Sequence, residues 1–222
     1  MPAEQHYQAP PGWTERSPNP FTPDGAYGPD WSCFRIREED DDRGWNGCGT
    51  DGQHLFVVGR RWRNLAENVA DFIRYECRHG RKPIVGMPAD LDLPAIVGQA
   101  LAETPDGPVV RPGDPRCMVH TTSREAWERI RACGELRSLA RLQREGLTIT
   151  GTGFEYFHEP EDYTEHIIFG VVDVVYPEFV VLSRQLGHIL TDENHPYTPG
   201  ARLYFDAHRI IRDGLAVRDG LH

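Results

Sequence analysis

Between Thr104 and Pro115 the chain carries Pro105, Pro108, Pro112 and Pro115, interspersed with Gly107, Gly113, Asp106 and Asp114. Proline fixes φ and has no backbone N–H, so neither a helix nor a central strand can run through such a stretch. The 222 residues are therefore divided near position 110, and each side must bury its own apolar residues. A second punctuated region comes first: residues 1–31 hold seven of the 18 prolines and show neither helical nor strand periodicity. These features predict an irregular Pro/Gly-rich arm over 1–31, partly ordered at best, a small N-terminal α/β lobe over 32–115, and a second domain over 116–222.

Periodicity supplies the elements. Leu55–Val58 reads as a short strand, and Leu65, Val69, Phe72, Ile73 and Cys77 recur on one face at helical spacing until Gly80 and Pro83 stop the pattern. Asp92 followed by Pro94 opens a second helix with Ile96, Val97, Ala100 and Leu101 as its apolar face. In the second half, Met118–His120 is a strand end. Thr122-Ser123-Arg124-Glu125 is a capping-box pattern for a helix bearing Trp127 and Ile130 and stopped by Gly134. A helix over Ser138–Glu145 follows, then strand candidates at Leu147–Ile149, Ile167–Val175, Phe179–Leu182 and Arg202–Phe205, and a short helix over Ala207–Asp213. Strands outnumber helices there, which predicts an α+β domain with a split or sandwiched sheet.

Composition narrows the function classes. No run approaches the ~18–20 apolar residues of a membrane span, and the N-terminus lacks the basic flank and apolar run of a secretory signal, so the expectation is a cytoplasmic protein with no membrane partner. The five scattered cysteines include no C-x-x-C pair, which argues against a disulfide framework. A formal charge of −10 opposes general nucleic-acid coating and leaves room for a local basic groove. Of the 24 basic residues 23 are arginine, a bias that base composition explains as readily as phosphate recognition does. The run Glu38–Asp42 reads as a solvated loop, because five adjacent like charges repel and resist burial.

The stretch richest in chemistry is Val119-His120-Thr121-Thr122-Ser123, leading into the helix closed by Gly134. An imidazole offers a donor and an acceptor, hydroxyls offer rotating donors, and a helix start offers amide N–H groups. Together these suit the ribose, carboxamide and phosphate oxygens of a nucleotide.

This segment resembles the nicotinamide-binding motif of the ADP-ribosyltransferase superfamily, especially its tRNA 2′-phosphotransferase branch, where a strand ending His-Gly-Thr-Ser leads into a helix and a glycine. Thr121 stands at the glycine position. Val180-Val181-Leu182-Ser183 is similar to that branch's Val-His-Leu-Ser strand, with Val181 at the histidine position. Leu203–Gly214 is similar to its strand followed by Asp-Ala and a short helix ending Asp-Gly. The resemblance covers about half the chain and implies an ADP-ribosyltransferase-like split sheet with NAD as co-substrate. It implies that His120, Thr121, Thr122, Ser123, Ser183 and Arg184 contact the cofactor, and that catalysis rests on His120, Glu178 and Arg144. Glu159, Glu161 and Glu165 are alternatives to Glu178, and Arg141 and Arg202 are further phosphate candidates. Arg78-His79 could match the Arg-His pair of that branch's N-terminal lobe. The implied acceptor is an RNA or DNA phosphate, or otherwise a protein or small molecule.

Other classes remain open on sequence. His158, Glu159, Glu161, Asp162 and His166 could make a metal-binding hydrolase site, although Pro160 and the spacing do not fit His-Glu-x-x-His on a helix. Cys33, Cys48 and His54 could hold zinc without a C-x-x-C knuckle. A non-catalytic nucleotide-binding module would keep the fold and lack the chemistry.

Overall fold

The protein is described here by a computed structural model that defines residues 5–147, 161–171 and 200–220. It is mixed α+β and divides into two compact units, 1–109 with 214–222, and 110–213. Among the described residues no helix is long and apolar enough to cross a membrane.

The first unit contains β1 (Tyr7–Gln8), β2 (Trp31–Ile36), β3 (Gly44–Cys48), β4 (His54–Val58), α1 (Leu65–Arg78), β5 (Lys82–Gly86) and α2 (Leu93–Glu103). Its five strands lie in the order β1-β5-β2-β4-β3, all neighbours parallel except the antiparallel β3–β4 edge. Successive side chains of a strand point to opposite faces. Phe34, Ile36, Phe56, Val58 and Val85 meet Val69, Phe72 and Ile73 of α1 and Val97 of α2. Trp31, Cys33, Leu55 and Ile84 face the other way, onto Trp13 and Tyr27.

A parallel sheet needs both faces covered, and here both helices pack on one. The N-terminal segment covers the other, so the irregular-arm expectation gives way to a layer that belongs to the first unit and adds the two-residue strand β1 to its sheet. Trp13 donates from Nε1 to the Tyr27 hydroxyl at 3.0 Å, which in turn donates to the Ser17 carbonyl at 2.8 Å. Arg35, on the same face, pairs with Glu15. Gly86 has no side chain where a Cβ would stand 2.4 Å from the Trp13 ring, so glycine is what lets the indole close on β5. At the chain's other end, Asp219 and Gly220 are buried, and Arg218 donates to the Val109 carbonyl at 3.2 Å. The C-terminal segment thus joins the first unit, not the domain expected over 116–222.

The acidic run is exposed at its start and neutralised locally: Arg37 pairs with Asp41 at 2.9 Å, Arg61 with Asp40 at 3.4 Å, and backbone N–H groups of Arg60 and Arg61 donate to the Glu39 and Asp41 carbonyls.

The second unit contains β6 (Cys117–Thr122), α3 (Arg124–Cys133), α4 (Leu139–Arg144), a 3-10 turn at Glu161–Glu165, β7 (Gly170–Val171), β8 (Ala201–Asp206) and α5 (Ala207–Arg212). The sheet is antiparallel in the order β7-β6-β8. Within Ile167–Val175 only Gly170–Val171 is a described strand, with 167–169 irregular; the candidates at 147–149 and 179–182 fall wholly or largely outside the described residues.

Candidate functional site

β6 is the central strand, hydrogen-bonded to both neighbours, and its last residues carry the reactive groups. The register sets His120 opposite Leu203, Thr121 opposite Arg202 and Thr122 opposite Ala201. Alternation therefore puts His120 on the face of Met118, Leu203 and Phe205, and Thr121 on the face of Val119, Arg202 and the exposed Tyr204.

His120 Nδ1 lies 3.3 Å from the carbonyl oxygen of Ile168. A carbonyl can only accept, so this contact requires the proton on Nδ1, and the neutral ring then carries its lone pair on Nε2. Phe169 stands edge-on to the imidazole at 6.2 Å and edge-on to Phe205 at 5.2 Å, which gives that side of the ring an aromatic wall. On the opposite face the Thr121 hydroxyl is buried and has no partner among the described residues. A buried hydroxyl without a partner costs free energy unless something is bound to it.

The turn after β6 is fixed by Ser123, whose side chain accepts from the Ala126 N–H and caps α3. Ser123 occupies the N-cap that the capping-box reading gave to Thr122, one residue earlier. Glu125 consequently sits in the first turn, where backbone and Ser123 hydrogen bonds hold its carboxyl below the usual range. Gly134 closes the helix at φ 72°, a left-handed conformation open to glycine at little cost.

Arg144, at the end of α4, grips Glu165 through two bonds, at 2.6 and 3.1 Å. The guanidinium holds the Glu165 carboxyl below its ordinary range. Arg141 bonds Glu135 and Glu145 at 2.8 and 3.1 Å. Both phosphate candidates on α4 are thus occupied by carboxylates. Residues 165–169 bring the expected site residues onto one short segment: Glu165 holds Arg144, the Ile168 carbonyl holds His120, and Phe169 flanks it. Nothing in residue type marks a backbone carbonyl in advance, and Phe169 was legible only as one apolar residue of a strand candidate.

Glu178, Ser183 and Arg184 lie outside the described residues, as do His158 and Glu159. Arg78 and His79 belong to the first unit, where Arg78 pairs with Asp106 and His79 Nδ1 lies 2.8 Å from the Tyr75 carbonyl. The described residues contain no group of three histidine, cysteine or acidic side chains that could hold a metal. For Cys33, Cys48 and His54 the register gives the reason: Cys33 pairs with Leu55 on the face covered by the N-terminal layer, whereas His54 and Cys48 share the opposite face.

No protein-family model matches the chain, and no curated protein or solved structure does either.

Proposed function

We propose that the second unit binds NAD at the junction of β6 and α3 and transfers ADP-ribose to an acceptor, in the manner of the ADP-ribosyltransferase superfamily. One observation carries this reading. The segments that resemble the superfamily, β6 with α3 and β8 with α5, are separated by almost 70 residues of sequence yet form neighbouring strands, each running into a helix.

The side chains suit the ligand. The Ile168 carbonyl orients the His120 imidazole at the strand end, a ring that can donate to or accept from a ribose hydroxyl. The Thr121 hydroxyl, which has no partner among the described residues, and the first N–H groups of α3 are donors for carboxamide or phosphate oxygens. Substitution at the nicotinamide ribose carbon develops positive charge, which a carboxylate nearby stabilises; Glu178 takes that role in this reading, and Ser183 and Arg184 complete the cofactor contacts. Arg144 reaches a phosphate only by exchanging Glu165 for it. The acceptor is an RNA or DNA phosphate on the phosphotransferase resemblance, or a protein or small molecule on the acidic net charge.

Calorimetric titration with NAD, followed by assay of released nicotinamide, tests the proposal. Binding with release is the expected result. Binding without release favours a non-catalytic module, and absence of binding at millimolar NAD overturns the reading. His120→Ala is expected to abolish binding with little loss of stability, and Glu178→Gln to spare binding and lower turnover.

A further inference from the structure

Arg144 is tied differently from the arginines near it. Arg131, Arg137 and Arg141 pair with carboxylates at most eight residues away, within the same helix or its flanks. The carboxylate on Arg144 comes from 21 residues further along the chain. An exposed ion pair adds little to stability, so the consequence of this one lies in what it holds in place.

What it holds is a short segment with His120 at its far end. The 3-10 turn at Glu161–Glu165 is anchored by the buried Tyr163 and closed by the His166 N–H, which donates to the Tyr163 carbonyl at 3.1 Å. Antiparallel pairing of β7 with β6 runs from Val171 opposite Met118 to Gly170 opposite Val119 and stops there. Just before that ladder, the Ile168 carbonyl meets the His120 imidazole. The Ile168 side chain is 39% exposed, so packing does little to fix its carbonyl. Only His166 and Ile167 join Glu165 to Ile168, a span of about 10 Å at most, so a shift at Glu165 is carried to the group that orients His120.

The Arg144 end has the chemistry of a ligand contact. Two N–H···O bonds, at 2.6 and 3.1 Å, are the geometry in which a guanidinium grips a carboxylate or a phosphate alike. Both side chains are at least half exposed, so a dissolved phosphate can reach the guanidinium. We infer that Glu165 is a latch: its carboxylate stands on Arg144 where the diphosphate of a dinucleotide docks, and a ligand that takes Arg144 releases residues 165–168 and with them the carbonyl that orients His120. A nucleoside without phosphate leaves the imidazole in its resting orientation. Glu165 acts through Arg144 and the backbone and is a positioning residue. The inference rests on the dinucleotide reading of this site.

Titration with inorganic pyrophosphate and nitrogen NMR of the imidazoles, on the full chain without divalent metal, test the latch. Glu165→Gln frees the guanidinium and is expected to tighten pyrophosphate binding by up to about fivefold, the most that loss of an exposed pair allows. Arg144→Gln is expected to weaken it. Without any ligand, both variants are expected to move the His120 nitrogen signals in the direction in which pyrophosphate moves them in the wild type. Opposite effects on affinity with one effect on the imidazole are what a surface ion pair of purely structural role would not produce. His120 signals unmoved in both variants, affinity indifferent to Glu165→Gln, or no binding at millimolar pyrophosphate would each overturn the latch, even in a chain that binds NAD. Both signatures present in a chain that does not bind NAD would uphold the latch and remove the NAD reading.

Discussion

The two sheets differ in how much of themselves they hide. In the first unit β4 is buried along its whole length and β2 at all but Arg35, because helices cover one face and the N-terminal layer the other. In the second, β8 alternates between half-buried and exposed residues, and α3 has no buried residue among those described. Arginine–carboxylate pairs occur in both, Arg35 with Glu15 in the first unit and Arg144 with Glu165 in the second. A core closed on both faces removes more apolar surface from water and is the larger source of stability.

That contrast is sharpest in a pair of truncations. Phe72→Ala removes the ring that sits 5.3 Å from both Phe34 and Phe56; it is expected to cost about 3–5 kcal/mol in chemical denaturation. Leu203→Ala, on the half-buried face of β8, is expected to cost about 1 kcal/mol, and a comparable loss would show the second core to be as closed as the first.

A pH effect of intermediate size belongs to the N-terminal layer. Burial pushes the Tyr27 phenol up to about 12. A group whose folded value lies above its unfolded value gives stability that is complete below the unfolded value and lost as pH rises through the folded one. Stability should therefore decline between about pH 10 and 12, by about 2 kcal/mol at most. Tyr27→Phe should flatten that decline, and an ultraviolet titration should show this tyrosine ionising late. Ser123→Ala removes the cap of α3 and is expected to cost about 1 kcal/mol, measured as faster amide exchange in the first turn. The smallest effect is that of Arg144→Gln: its pair with Glu165 is exposed on both sides, so stability should shift by less than about 1 kcal/mol. A larger loss would mean that the fold of the 165–169 segment, and not only its position, depends on that contact.

Much of the fold was legible because periodicity and punctuation agreed. The apolar face from Leu65 to Cys77 became α1, Asp92 caps α2 through the Ala95 N–H, and the strand–turn–helix order around His120 stands as expected. β5 was hidden by Pro83, which normally demotes a strand. β1 pairs only with Ile84 and Val85, so the proline nitrogen falls beyond its reach and no ladder bond is lost. β3, with two glycines and no β-branched residue, carries no strand signal and is held by its pairing with β4. The N-terminal layer escaped because its order comes from long-range contacts of Trp13 and Tyr27 and not from any local period. Of the candidate site, residue types singled out His120 and Thr121, whereas the Ile168 carbonyl bonded to the imidazole has no residue signature.

The chain leaves the first unit after Val109 and re-enters it at Gly214, and the two crossing points are adjacent: a Cβ on Gly214 would lie 4.0 Å from Pro108, and Arg218 reaches the Val109 carbonyl. In topological terms the second unit is a guest spliced into a host through a single doorway. Its ends are pinned where the host is already folded, so its loss or replacement interrupts no strand or helix of the host. A graft joining Val109 to Gly214 would close a gap the fold has already brought together.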